Sequence, residues 1–318
     1  MTIVTPTHWQ PITKYQSATL TQRFLSDCYR KGELKDAETL SYENCYSFIY
    51  HLEHGEKYYI QASKAPLELR PILLFYGMIQ LLKACILTVD PHYPENSQVL
   101  AHGVSSRKRK KSNYEFLNDE VRLQKNGLLS HFYDKMFHMK HLEGEKYKME
   151  VLLKQVPELH PLFACIYKKP ISYRLQKTEE SDFKVTAKLL DDFNLGVSSW
   201  GRFLNTRTRT HLNEPYENNG YVVIPFEKPL NRLDCAPFLR SHSGNYYLLR
   251  IRDDYLTLPE IVVHYLLLYN LSMICRYETE WWGDLFHNYS STDFPFIKQF
   301  LMVTETKIPS LLFQFLGF

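Results

Sequence analysis

Two long apolar segments constrain this chain more than any other feature, because each must be buried along its whole surface. They cover residues 66–88 and 259–276. In both segments, apolar residues occur on every side of the predicted helix, so neither is an amphipathic surface helix. Pro71 and Pro259 suit a first helical turn, where the missing proline N–H costs nothing. Two such helices bury most economically against each other, and we predict that they touch at the centre of the fold.

The first segment is also close to the length of a membrane span. Ile72 to Val89 is a run of 18 residues, and a span needs at least about 18. Gln80 and Lys83 interrupt the run. We therefore predict a buried core helix and no contact with a membrane.

The middle of the chain has a different pattern from the two ends. Short β-branched or aromatic runs alternate with turn residues such as Asn218-Asn219-Gly220, and such runs are typical of strands. The strands expected here cover residues 171–175, 183–187, 221–224 and 246–251. The fold class predicted is α+β, mostly helical, with two buried central helices and a small antiparallel β-rich unit inserted in the middle. The predicted parts are an N-terminal helical part (1–167), the β-rich unit (168–256) and a C-terminal helical part that packs on the first (257–318).

Composition places the chain among ordinary folded proteins and narrows its compartment. Of 318 residues, 44% are hydrophobic and 23% charged, which excludes disorder over most of the chain. The six cysteines form no C-x-x-C pair, and the N-terminus lacks the pattern of a signal peptide. These features predict a cytoplasmic protein.

The pairs His51–His54 and His138–His141 lack the zincin pattern. We predict no metal site and no cofactor.

One dense basic run is a candidate phosphate-binding segment. It follows His102-Gly103, where a glycine beside a histidine would let the backbone approach a ligand closely. Five adjacent cations attract phosphate, and they are Arg107, Lys108, Arg109, Lys110 and Lys111. The alternative is a solvated surface loop without a ligand.

Polar residues at the two apolar helices form a second set of candidates. Lys83 lies inside the first helix, and Arg276 lies at the end of the second, four residues before Glu280. If the helix continues, Arg276 and Glu280 share a face. An unpaired polar group in apolar surroundings costs about 1–3 kcal/mol, so we predict that Lys83, His102 and Arg276 share one pocket with Glu280 as counter-charge. The alternative satisfies each separately, for instance by Lys83 extending to water.

A third set of candidates lies in Thr206-Arg-Thr-Arg-Thr-His211. On a strand, Arg207, Arg209 and His211 would share one face. That face would be either a strand edge protected by charge or a strip that contacts phosphate.

Several enzyme signatures are absent from the sequence. It contains no G-x-S-x-G, no G-x-x-x-x-G-K-[ST] and no G-x-G-x-x-G. It also lacks the R-x4-6-H spacing of small helical ribonucleases of the HEPN type, since Arg207 and His211 have only three residues between them.

Several blocks, in order along the chain, resemble the bacterial YaaC-like family. They are Ala65 to Gly77, Leu81-Leu-Lys-Ala84, His102-Gly103, and Leu271 to Tyr277 with Trp281. The resemblance spans about residues 20–318. It implies a bacterial cytosolic protein, and it implies no activity, cofactor or catalytic residue.

Three functional hypotheses follow. The first is a non-catalytic binding or regulatory protein for a phosphate-bearing ligand, either a nucleotide or a nucleic acid. The second is a protein–protein adaptor that uses tyrosine and phenylalanine exposed on the β-rich unit. The third is an enzyme of unfamiliar type, such as a nuclease, with Lys83, His102 and Glu280 as acid and base. The sequence leaves the oligomeric state open.

Overall fold

Helices make up most of the protein in the computed structural model, which describes residues 7–107, 114–139, 143–178, 182–289 and 291–318. Helical residues account for 58% of the chain and strands for 11%. This composition confirms the predicted mostly helical α+β class. The α-helices of the described residues are α1 (Ala18–Lys31), α2 (Ala37–Lys64), α3 (Arg70–Leu87), α4 (Leu128–Phe137), α5 (Met149–Lys154), α6 (His160–Tyr167), α7 (Lys188–Phe193), α8 (Val197–Asn205), α9 (Glu260–Tyr277), α10 (Thr279–His287) and α11 (Asp293–Phe315).

The strands of the described residues are β1 (Val104–Ser106), β2 (Glu120–Leu123), β3 (Lys146–Lys148), β4 (Ser172–Arg174), β5 (Gln176–Lys177), β6 (Phe183–Thr186), β7 (Tyr216–Asn218), β8 (Tyr221–Ile224), β9 (Leu239–Arg240) and β10 (Tyr246–Leu249). They form three small antiparallel sheets, ordered β1-β2-β3, β4-β10-β9 and β5-β6-β8-β7. All four strands expected in the middle of the chain are present, as β4, β6, β8 and β10.

The chain divides into two compact units. The first comprises residues 1–149, 264–294 and 301–318, and the second comprises residues 150–263 and 295–300. The first unit contains α1 to α4, most of α9 and the sheet β1-β2-β3. The second contains the other two sheets.

The two apolar helices meet inside the first unit, as predicted. The ring of Phe75 on α3 lies 5.2 Å from that of Tyr265 and 5.8 Å from that of Tyr269, both on α9. At the other end of the contact, the Cys275 thiol donates to the Glu68 carbonyl at 3.1 Å. Burial of aromatic and aliphatic side chains along both helices supplies the main favourable term for this unit.

By length and composition, one helical stretch of the described residues could cross a membrane. Leu67–Leu87 has a mean hydropathy of 1.5, and 61% of the window is buried inside the protein. Its buried residues include Leu74, Phe75 and Met78. Most of this stretch is therefore packed against other parts of the same chain.

Glycines let α2 and α3 approach closely. A Cβ placed on Gly77 would lie 2.8 Å from Cδ2 of Tyr59 and 3.0 Å from Cβ of Tyr58. A Cβ on Gly55 would lie 2.7 Å from Cδ2 of Leu81. Because Tyr59 and Leu81 are buried, neither has room to move aside.

A buried carboxylate fixes the segment that follows α3. Asp90 Oδ2 is 2.9 Å from His131 Nε2 and 3.1 Å from Lys135 Nζ, both on α4. Burial alone would raise the pKa of Asp90, but the hydrogen bonds and charges of His131 and Lys135 outweigh it and lower the pKa to about 2. The carboxylate therefore joins the end of α3 to α4.

We predict that Gly77→Ala destabilises the protein, whereas Gly283→Ala stabilises it. Gly283 lies in α10 with no atom within 4 Å of an added Cβ, so alanine there gains only helix propensity, about 1 kcal/mol. The same gain at Gly77 is outweighed by an overpacking cost of about 1–3 kcal/mol. Denaturation midpoints of the two variants check the prediction, and equal shifts would contradict it.

We predict that Asp90 contributes acid-sensitive stability. Its folded pKa is below the unfolded value, so the contribution is complete above the unfolded pKa and is lost as the pH falls through the folded pKa. A shift from 3.8 to about 2 corresponds to about 2 kcal/mol. Compared with Asp90→Asn, the wild-type advantage in Tm should fall to about half between pH 5 and pH 3. A constant difference over that range would show that the carboxylate charge has no such role.

Candidate functional site

Three of the residues predicted to share a pocket are brought together in the first unit. Lys83 lies toward the C-terminal end of α3, His102 lies in the segment before β1, and Arg276 lies in the last turn of α9. All three side chains are half-buried. We call this set the cationic cluster.

His102 is the centre of the cationic cluster. Its ring centroid lies 5.1 Å from that of Phe75, 5.8 Å from that of Tyr269 and 6.4 Å from that of Tyr76, all edge-on. Burial lowers the pKa of His102, and the nearby positive charges of Arg276 and Lys83 lower it further. These effects favour the neutral form of the imidazole.

The lysine of the cluster carries a charge that is partly removed from water. Burial lowers the pKa of Lys83, since desolvation disfavours the ammonium form. Lys83 also contributes to the lowered pKa of His51, for which burial is the larger cause. His51 itself is hydrogen-bonded to Gln80, with 2.6 Å between Nδ1 and Oε1. Neither His51 nor Gln80 was assigned to this place from the sequence.

The arginine of the cluster is held by neutral groups. Its Nε donates to the Ser272 carbonyl at 3.1 Å, and its Nη1 lies 3.5 Å from the Tyr76 hydroxyl. Met273 Sδ lies 3.0 Å from Nη2. Within the described part of the chain, no carboxylate forms an ion pair with the guanidinium.

The predicted role of Glu280 as counter-charge to Arg276 is wrong. Helix α9 ends at Tyr277, and the backbone at Glu278 leaves the helical region with φ −113° and ψ 53°. Glu280 lies in the first turn of the next helix, α10, and it is exposed. Residues four apart share a face only on one continuous helix, so Arg276 and Glu280 do not share a face across this break.

The basic run is only partly described. Arg107 is exposed and lies 3.7 Å from Glu120 on β2, which also pairs with Lys146 at 3.2 Å. Lys108, Arg109, Lys110 and Lys111 lie outside the described residues. Their role in phosphate contact stays a prediction.

The shared strand face expected for Arg207 and Arg209 is wrong, because residues 206–211 form a turn after α8. The Arg207 guanidinium covers the Phe203 ring at 3.9 Å and donates to the Phe203 carbonyl. Arg209 pairs instead with Asp234 at 2.8 Å. The alternating threonine and arginine residues therefore belong to a polar turn, in which the Thr210 N–H donates to the Thr208 hydroxyl.

A serine–histidine pair in the second unit was also missed. Ser172 Oγ lies 2.7 Å from His160 Nδ1, and His160 Nε2 lies 2.9 Å from the Lys154 carbonyl. That carbonyl accepts a hydrogen bond from the Nε2–H group, which leaves Nδ1 to accept one from the serine hydroxyl. His160 is only 7% exposed, so these bonds join α6 to β4 in the core of the unit.

The candidate residues do not form a metal centre. Among the described residues, no group of three or more histidine, cysteine, aspartate or glutamate side chains is arranged to hold a metal ion. In the cationic cluster, the half-buried positive charges instead favour an anionic ligand.

Backbone contacts hold His102 in place. The Tyr265 hydroxyl donates to the His102 carbonyl at 2.9 Å, and the Leu128 N–H donates to the Ala101 carbonyl at 2.7 Å. A Cβ on Gly127, whose φ is +138°, would lie 2.3 Å from the Cα of Gly103. Gly103 therefore allows a close approach to another backbone segment, and its approach to a ligand stays a prediction.

We predict that Gly127→Ala is strongly destabilising and displaces His102. Strain at this φ costs about 1–3 kcal/mol, and the backbone clash adds a further 1–3 kcal/mol or so. The matched control is Gly144→Ala, where φ is +82° and the nearest atom to an added Cβ is 3.5 Å away. If the two variants have equal denaturation midpoints, the 103–127 contact does not constrain the fold.

The comparisons with known proteins place the chain in a family without naming an activity. No curated protein and no solved structure matches it significantly. The profile of the family described as YaaC-like protein matches residues 13–316, which is nearly the whole chain. The chain therefore belongs to the YaaC-like family.

Proposed function

We propose that this protein is a non-catalytic binding protein that recognises a phosphate-bearing ligand at the cationic cluster. The supporting observation is the convergence of Lys83, His102 and Arg276 without a carboxylate partner in the described part of the chain. Structural cations are normally paired when they are removed from water. The clustering of half-buried cations that repel one another is most simply explained by an anionic ligand that binds between them.

Electrostatics favours an anion with more than one charge. Two fixed positive charges act on His102 in the free protein, and they suppress its protonation. A phosphate between them would offset that repulsion and accept charge-assisted hydrogen bonds, which are roughly twice as strong as neutral ones. Lys83 supplies a point charge, whereas Arg276 supplies a planar fork suited to two phosphate oxygens.

Aromatic rings beside the cluster favour a ligand with a planar group. The rings of Tyr58 and Tyr76 are stacked, with centroids 6.1 Å apart and planes 27° apart. Tyr76 is also the residue that contacts Arg276. A nucleotide combines a phosphate with a flat base, so it matches both features of the site.

A second candidate function, the protein–protein adaptor, is favoured by a row of exposed tyrosines. Tyr42, Tyr46 and Tyr50 are 69%, 55% and 56% exposed and follow one another every four residues on α2. Tyrosine is enriched in protein interfaces. This row lies on a helix and not on the β-rich unit, where the adaptor surface was expected. A photo-crosslinking residue placed at position 46 tests the adaptor hypothesis, with the same residue at the exposed Tyr216 as control. The hypothesis predicts protein adducts that form from position 46 and not from position 216.

The binding proposal is tested with ATP, pyrophosphate and sulfate by calorimetry on the full chain. We predict that Lys83→Met weakens binding about 10- to 150-fold, because it removes a charged hydrogen bond of about 1.5–3 kcal/mol. Lys64→Met is the matched control, since Lys64 is an exposed lysine of α2. The free Lys83→Met protein should be at least as stable as the wild type, because burial disfavours this ammonium.

Equal losses in Lys83→Met and Lys64→Met would overturn the proposed site. So would wild-type protein that binds none of the three anions at low salt. ATP hydrolysis by the wild type that Lys83→Met abolishes would replace the binding proposal with the enzyme hypothesis.

We also predict that sulfate binding strengthens as the pH falls from 8 to 5. A bound dianion raises the pKa of His102 from its lowered free value, so binding takes up a proton and affinity rises as the pH falls. Sulfate keeps its charge over this range, so the change reports on the protein alone. In His102→Asn the pH dependence should be lost while affinity at pH 8 is kept. An unchanged pH dependence in that variant would exclude His102 from the site.

A further inference from the structure

The second unit contains a cavity of about 800 Å³ that no sequence motif indicated. Pockets that bind small molecules measure about 300–1,000 Å³. The lining residues are 174–177, 182–183, 226–230, 232, 240 and 244–246. We call this space the β-unit cavity.

Strand connections explain why the cavity exists. Within four residues, the chain leaves β4 in one sheet and enters β5 in another, with the buried Leu175 between them. The Leu175 N–H donates to the Tyr246 carbonyl at 2.8 Å, which holds this crossing against β10. The segment after β8, residues 225–238, then supplies another part of the lining.

The charge of the cavity lining is positive. Five cationic side chains face two carboxylates, those of Asp182 and Glu227. Asp182 Oδ1 accepts a hydrogen bond from the Phe226 N–H at 3.2 Å, and Glu227 lies 3.5 Å from His211. Both carboxylates therefore have partners other than the lining cations. The cationic residues are Arg174, Lys177, Lys228, Arg232 and Arg240.

Among the described residues, Lys228 and Arg232 of this cavity differ in their ion pairs from two cations of another cavity in the same unit. In a second cavity of the same unit, of about 400 Å³, Arg250 pairs with Asp192 at 2.6 Å and Lys154 with Asp254 at 3.1 Å. By contrast, among the residues that the structure describes, no carboxylate forms an ion pair with Lys228 or Arg232. Both of these side chains are exposed.

Three aromatic side chains complete the lining. The ring centroid of Phe183 lies 5.5 Å from that of Phe226 and 5.0 Å from that of Tyr246. All three are half-buried, so part of each ring surface is open to the cavity. Phe226 is supported from behind by the buried Phe238, at 5.4 Å.

We propose that the β-unit cavity binds an aromatic base that carries a phosphate, either as a free nucleotide or as part of a single-stranded nucleic acid. Phe183, Phe226 and Tyr246 stack with the base, and Lys228 and Arg232 contact the phosphate. Single-strand binding sites combine these same two features, an aromatic platform and a positive groove. This site shares no residue with the cationic cluster, so it does not rest on the proposed function.

The test measures fluorescence anisotropy of a fluorescein-labelled deoxythymidine decamer on the full-length protein, with unlabelled AMP as competitor. The first variant is Lys228→Ala with Arg232→Ala. Its matched control is Lys188→Ala with Arg202→Ala, which removes the same charges from exposed positions outside the cavity. On a single strand, each lost phosphate contact should reduce the log–log salt slope by about 0.7, so the cavity variant should lose about 1.4 and the control none.

The second variant, Phe226→Leu, removes the ring and keeps an apolar side chain. Stacking contributes about 1–3 kcal/mol per base, so decamer affinity should fall about 5- to 150-fold. Circular dichroism and the denaturation midpoint confirm that the variant is folded.

Each outcome bears on the proposal. Competition by AMP assigns the site to free nucleotides as well, whereas decamer binding without competition assigns it to single strands. Equal loss in the cavity and control double variants would show that binding depends on diffuse charge, and would overturn the proposal. Absence of both decamer and AMP binding at low salt would overturn it too. Lys83→Met should leave decamer binding unchanged, which separates this result from that of the cationic cluster.

Discussion

Burial of helix α3 on nearly every side is the constraint on which the first unit depends. A helix without a polar face needs neighbours around its whole circumference, because exposed apolar area costs about 25 cal/mol per Å². Helix α2 covers one side through Gly55 and Gly77, and α9 covers another through Tyr265 and Tyr269.

The same requirement determines where the polar groups of these helices lie. Polar side chains on a buried helix need polar partners or water. Gln80 is hydrogen-bonded to His51, and Lys83 lies near enough to His102 to lower its pKa. Arg276 reaches the same region from the end of α9, where its charge also complements the helix dipole. The convergence of positive charge is therefore a consequence of how two apolar helices are packed.

Sequence reasoning succeeded where one strong physical term dominated. The apolar runs identified α3 and α9. The structure places Lys83 and Arg276 close enough to His102 to lower its pKa, and the shared pocket stays a prediction. It failed where short-range geometry decided the result. The helix break at Glu278 removed Glu280 from the group, and the turn after α8 separated Arg207 from Arg209. The β-unit cavity was not predictable, because its lining comes from strands of two sheets that no local pattern relates to one another.

The contact between Gly103 and Gly127 has a consequence for how binding could change over evolution. It joins two stretches of main chain directly, so the backbone beside His102 is held there by atoms that side-chain mutations do not change. Lys83 and Arg276 instead carry their charges at the ends of long side chains. Mutations could therefore alter the charge and reach of the cluster step by step around a fixed histidine, and new ligand preferences could arise without rebuilding the core.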